Sequence, residues 1–185
     1  MQLQERDPLA WVMKALREAG NSIVREFAGL GEDALRQRPA EGELCLKEIA
    51  AHLRDAEELA LKQITCLMET PGRPLPVWDV DVLPMERDYR SADVRELLAE
   101  FRSLRSDTTT ALWSATRKEW RRPGKHPYKA SITLEEIARG LAQHDLEHLW
   151  QAQQIKHELG MEKVRVGDDW DDWQEWGSAT EDSLP

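Results

Sequence analysis

An all-α fold, a bundle of four helices, is what this 185-residue sequence predicts. Three observations carry the prediction. Four long stretches repeat apolar residues at helical spacing, so each has one face that wants burial. No stretch reads as a strand, and no segment repeats. The connector between the second and third stretches, residues 71–90, holds four prolines, which suits a long crossover rather than a tight turn.

The first helix is expected to start at Asp7-Pro8, with Asp as cap and Pro at the first helical position. Its stripe is Leu9, Val12, Met13, Leu16, Ile23 and Phe27, ending near Gly29, with a kink expected at Gly20-Asn21. Residues 30–44 read as a connector containing a short turn at Glu32–Leu35. The second helix starts near Cys45, where Glu48 can bond back to the first turn and Leu44 can staple onto Ile49. Ile49, Leu53, Ala56, Ala60, Ile64 and Leu67 form its buried face, and Pro71-Gly72 ends it. In the crossover that follows, Trp78 and Tyr89 are candidate anchors, with at most a short extended piece at Val77–Val82.

Ser91 is the expected cap of the third helix. Val94, Leu97, Leu98, Phe101, Leu104, Thr108, Leu112 and Ala115 carry it to about Trp120. A basic loop, RRPGKHPYKAS, leads into the fourth helix, Ile132 to Gly160. There Thr133 and Glu136 form a capping box, Ile132 staples onto Ile137, and Gly160 is a left-handed stop.

Hydrophobic residues make up 41% of the chain and charged residues 32%, the balance of a soluble globular domain. The net charge is −10, of which residues 161–185, with eight acids and two bases, supply −6. The bundle is therefore assigned to residues 1–160 and an acidic tail to 161–185. Trp170, Trp173 and Trp176 in that tail would be a sticky patch if exposed, so docking is expected. No basic face suggests nucleic-acid binding, no apolar run approaches a membrane span, and the N-terminus has no secretory pattern. Cys45 and Cys66 form no CxxC motif and are expected to be reduced thiols in a cytoplasmic protein.

The residues that carry chemistry are histidines. His144 and His148 are one turn apart on the inward stripe of the fourth helix, and His52 lies on the edge of the same kind of stripe on the second. A bundle can bring those helices side by side. Three imidazoles would then hold zinc, nickel or iron(II) with positions left open for water and substrate. The competing reading is a set of hydrogen-bonded core histidines. Asp55, one turn after His52, and Asp145, beside His144, are candidates to orient a ligating ring or to act as a general base. Glu147 reads as a surface acid. His126 is a candidate for the mouth of a pocket, Trp150 and Trp113 for its walls, and His157 for the surface.

These residues resemble the DinB-like superfamily of metal-binding four-helix proteins, over roughly residues 8–160. The resemblance rests on LKEIAAHLRDAE around His52 and on HPYKASITLEEIARGLAQHDLEHLWQAQQI around His144 and His148. It implies an up-down-down-up bundle, a divalent metal on His52, His144 and His148, and a homodimer. It also implies catalysis on a small-molecule substrate. Members that use a low-molecular-weight thiol (bacillithiol, mycothiol or glutathione) as transferases or isomerases make thiol transfer the expected activity. Hydrolysis, or a stress-response binding module with a structural metal, are the alternatives.

Overall fold

The computed structural model describes residues 8–78, 83 and 87–161, apart from the side chain of Pro8. The acidic tail, the cap at Asp7 and part of the 71–90 crossover lie outside these residues. Six helices are described: α1 (Pro8–Phe27), α2 (Glu32–Arg36), α3 (Leu46–Glu69), α4 (Val94–Ser114), α5 (Arg117–Trp120) and α6 (Leu134–Glu158). Among the described residues the only β-pairing is two isolated bridges, Pro74 with Lys125 and Gly124 with Ile132.

The four long helices form the bundle, and the contents of its core give their directions. At one end Val12 and Leu16 pack with Ile64, Leu67, Leu112, Leu134 and Leu141. At the other end Ile23 and Phe27 pack with Ile49, Leu53, Phe101, Ala152 and Ile155. Helix α1 therefore runs parallel to α6, α3 runs parallel to α4, and the two pairs are antiparallel. Two parallel neighbours in succession require the long crossover between α3 and α4 that the prolines suggested.

Helix α3 is the most enclosed of the four. Leu53, Ala60 and Ile64 face the core, and Ala56 and His52 lie toward α6. Ala51 packs under Leu83, Tyr89 and Leu97, with Trp78 and Ala92 beside them. The crossover, with Leu97 at the start of α4, thus covers this side of α3. Asp55 holds it there: Arg87 Nη1 donates to both carboxylate oxygens at 3.0 Å, and Tyr89 Oη donates to Oδ2. Arg54 Nη1 approaches Oδ1 at 2.9 Å. The anchoring expected of Tyr89 is present, and Lys62 Nζ sits 4.8 Å above the Trp78 ring.

The helix ends show where local chemistry was read well and where it was not. Thr133 and Glu136 form the expected capping box, with Glu136 Oε2 accepting from Thr133 N at 2.8 Å. Gly160 has φ of 64°, the left-handed stop. Glu48 Oε2 accepts from Cys45 N at 2.8 Å at the start of α3. The third helix differs. Asp93, not Ser91, is its cap, accepting from Arg95 N at 2.7 Å, while Ser91 Oγ donates to Asp88 O. The helix also stops at Ser114, because Thr116 and Glu119 form a capping box of their own and start α5. Helix α1 runs through Gly20-Asn21 as one helix to Phe27.

Candidate metal centre

His52 enters from α3, and His144 and His148 from α6. Each helix presents its histidines on the face that packs against the other. The spacing of four on α6 stacks its two rings one turn apart, about 6 Å of rise, with ring centroids 4.4 Å from each other. The His52 ring fits against both, at 4.9 Å from His144 and 4.5 Å from His148. One nitrogen from each ring can be chosen so that all three lie within 4.8 Å of one another.

Nε2 of His52 and Nε2 of His144 are 2.9 Å apart. Two imidazole nitrogens at tetrahedral angles around zinc, each about 2.0–2.1 Å from the metal, sit about 3.3 Å apart. The His52–His144 pair is therefore within about half an ångström of the separation a shared cation needs, and His148 stands close enough to join them. His52 is buried to 2% exposure, whereas His144 and His148 are half-buried on the side of α6 that meets α3. The cluster is thus closed by protein behind and reachable from solvent in front.

The protonation of the rings fits cation binding. Burial, helped by the neighbouring His148, His52 and Arg105, pushes His144 down to about 3. Its imidazole is neutral near pH 7 and carries a lone pair. Nε2 of His144 is the nitrogen that faces His52, and Nδ1, on the other side of the ring, is buried with no hydrogen-bond partner. His148 is oriented from behind: its Nδ1 donates to Oε1 of Gln151 at 2.8 Å, which leaves Nε2 as the free donor of an electron pair.

Beneath the rings lies a network of buried charge. Arg105 on α4 places Nε and Nη2 at 3.0 and 2.6 Å from Glu57 Oε2 on α3. Its Nη1 donates to Leu16 O on α1 at 2.6 Å and lies 2.7 Å from Asp145 Oδ2 on α6. Burial works against the charge on Arg105, but Asp145 and Glu57 more than offset it and hold the guanidinium charged. Burial raises the Asp145 carboxyl to about 6, with Arg105 pulling the other way.

The remaining sequence candidates are elsewhere. Asp55 is fully buried and engaged by Arg87 and Tyr89 of the crossover and by its neighbour Arg54 on α3. His126 sits in the loop tied to Pro74, its Nδ1 accepting from Tyr128 N at 3.1 Å. That loop packs where Gly124 meets Leu67, some fifteen residues, or about 22 Å, along α3 from His52. Trp150 is 64% exposed and lies about 200° around α6 from His148, so it faces away from the rings. Trp113 is 80% exposed and borders a shallow groove with Met13, Lys14 and Arg17. His157 is on the surface, as is Glu147, bonded to Gln143.

The sequence reading passed over Arg105, Glu57 and Gln151. Two of them had a signal. Arg105 stands on the stripe Phe101, Arg105, Thr108, Leu112, and Glu57 on the stripe Leu53, Glu57, Ala60, Ile64. A charge inside an apolar stripe asks for a buried partner, and each is the other's.

The fold is shared with known proteins. An uncharacterized protein of Bacillus subtilis, YuaE, is 21% identical over 165 residues, covering 80% of this chain and 98% of its own. Among solved structures, YfiT from Bacillus subtilis superposes with a TM-score of 0.76 at 18% identity, over 86% of this chain and 92% of its own. It is described as a probable metal-dependent hydrolase with an unusual four-helix bundle topology. A mycothiol-dependent maleylpyruvate isomerase superposes with a TM-score of 0.65 at 10% identity, over 81% of this chain and 62% of its own. The family model of the DinB superfamily matches residues 15–152, a span that includes all three clustered histidines and the whole buried charge network, and the chain belongs to that superfamily.

Proposed function

We propose that His52, His144 and His148 hold a divalent cation and that the protein is a metal-dependent enzyme acting on a small-molecule substrate with a small nucleophile. The observation that supports this is the meeting of three imidazole nitrogens within 4.8 Å at the α3–α6 contact. Three neutral nitrogen ligands suit zinc, nickel or iron(II) and leave coordination positions free. The cation's contribution, when bound, is to hold a thiol or a water in its anionic, nucleophilic form near neutral pH.

The chain's own residues do the rest. His144 stays neutral because burial and its neighbours disfavour its cation. Gln151 fixes the ring of His148. Asp145 and Asp55 serve as holders, the first of α6 on Arg105 and the second of the crossover on α3. The nucleophile read first is a low-molecular-weight thiol such as bacillithiol, mycothiol or glutathione, and the likeness of fold to a mycothiol-dependent isomerase supports it. The second reading is water, and the likeness to YfiT supports it. The reading includes a cytoplasmic homodimer.

The test uses metal-loaded full-length protein and its His148→Ala variant. A chromogenic electrophile is offered with each thiol in turn, and ester, amide and phosphate substrates are offered without thiol. A rate with one thiol that the variant lacks supports thiol transfer. A thiol-independent rate supports hydrolysis. No rate above the variant in either arm rejects both.

A further inference from the structure

We infer that Arg105 is a positioning residue for the three-histidine centre, setting how α3 and α6 face each other. It rests on the metal reading above. Arg105 links all four long helices at one level: from its own α4 it hydrogen-bonds to Leu16 O on α1 and Glu57 on α3 and makes an ion pair with Asp145 on α6. No ligand comes from α1 or α4, yet both are tied to the centre through this side chain.

The spacing along each helix gives the clamp its leverage. Asp145 is the residue after His144, and Glu57 is five residues beyond His52, a turn and a half along the same helix. A guanidinium held 2.7 Å from one carboxylate and 2.6 Å from the other fixes the rotation of α6 and the approach of α3 next to the rings. Apolar packing alone leaves more room for slides and rotations than the hydrogen bonds of the planar fork to Glu57 and Leu16 O together with the close ion pair to Asp145. Cation binding needs that restraint, since a ligand nitrogen misplaced by a few tenths of an ångström no longer fits the geometry of the metal.

Two further features fit. Glu57 and Asp145 are both fully buried, so neither can exchange Arg105 for water. Gly20 on α1 leaves the space that the guanidinium occupies: a Cβ there would lie 3.2 Å from Nη1.

The experiment measures Co²⁺ affinity and the d–d absorption spectrum of metal-stripped, full-length protein beside its melting temperature. The variants are Arg105→Lys, which keeps the charge but loses the fork, and Asp145→Asn, which keeps the volume and removes the ion pair. Leu112→Ala, fully buried on the same helix in the core beyond the network, is the control for general destabilisation. Both network variants are expected to bind Co²⁺ about ten- to a hundred-fold more weakly, with an altered spectrum. Leu112→Ala, though it melts at lower temperature, is expected to bind within about two-fold of wild type and with the wild-type spectrum. Affinity in both network variants that merely tracks melting temperature along with Leu112→Ala overturns the role of Arg105. Should Arg105→Lys fail to fold, Asp145→Asn decides alone. Absence of Co²⁺ binding by the wild type would instead sink the metal reading on which the inference rests.

Discussion

Gly20 and Arg105 occupy each other's space: the missing side chain of one is the room taken by the guanidinium of the other. A Cβ on Gly20 would meet Arg105 Nη1 at 3.2 Å, Arg105 Cγ at 3.6 Å and Phe101 Cε1 at 3.8 Å. The first of these is a contact the neighbour must yield to, and the neighbour is pinned by Glu57, Asp145 and Leu16. Gly20→Val is therefore expected to destabilise the fold by about 1–3 kcal/mol, despite valine's better helix propensity. Equilibrium urea unfolding reads this. A variant as stable as wild type would mean that the network shifts freely.

Binding a cation to the folded chain alone must raise its stability. At a free Zn²⁺ concentration a hundred times the dissociation constant the gain is about 2.7 kcal/mol. Melting the metal-stripped protein with and without Zn²⁺ should show the rise in wild type, and His52→Ala should abolish it. A rise that survives in His52→Ala would place the cation elsewhere.

Tyr89 supplies a pH dependence remote from the rings. Burial, then the adjacent Asp55 carboxylate, raises its hydroxyl above the ordinary value of about 10. The folded chain thus favours the neutral phenol, and the stability this contributes is complete below pH about 10 and is lost as pH rises beyond it. In a Tyr128→Phe background Tyr89 is the one remaining tyrosine. Its tyrosinate absorbance should appear only together with alkaline unfolding followed by circular dichroism. Titration near pH 10 with the helices intact would show that the Asp55 contact does not hold.

Thr133 tests the start of the helix that carries two of the histidines. Its hydroxyl accepts from Glu136 N and donates to Glu136 Oε2 at 2.8 Å. Thr133→Ala should cost about 1 kcal/mol, a fall in melting temperature of about 2–4 °C for a chain of this size. Metal affinity should be unchanged, because His144 lies about three turns further along. An affinity loss in this variant would mean that fraying of the first turn reaches the centre.

How much was legible in the sequence follows from how far apart the deciding residues are. The capping box at Thr133 and Glu136, the stop at Gly160 and the pairing of His144 with His148 are each settled within a few residues, by the pitch of one helix. The third helix was misjudged where two local signals competed. Ser91 and Asp93 are both good caps, and the Thr116–Glu119 box was hidden inside a run that continued the apolar spacing. Arg105 and Glu57 were visible as charges inside apolar stripes, but 48 residues of sequence separate them, and no local rule pairs residues so distant.

By itself, then, the sequence determined that there are four long helices, which face of each is buried, and that three histidines stand on two of those faces. Helical pitch and the cost of exposing apolar surface are enough for that. Only the tertiary structure decided that Nε2 of His52 lies 2.9 Å from that of His144, that Asp55 is held by the crossover, and that Arg105 is shared among all four helices. Those outcomes depend on the register between helices, which is set jointly by packing and buried charge across the whole core and is written in no single segment.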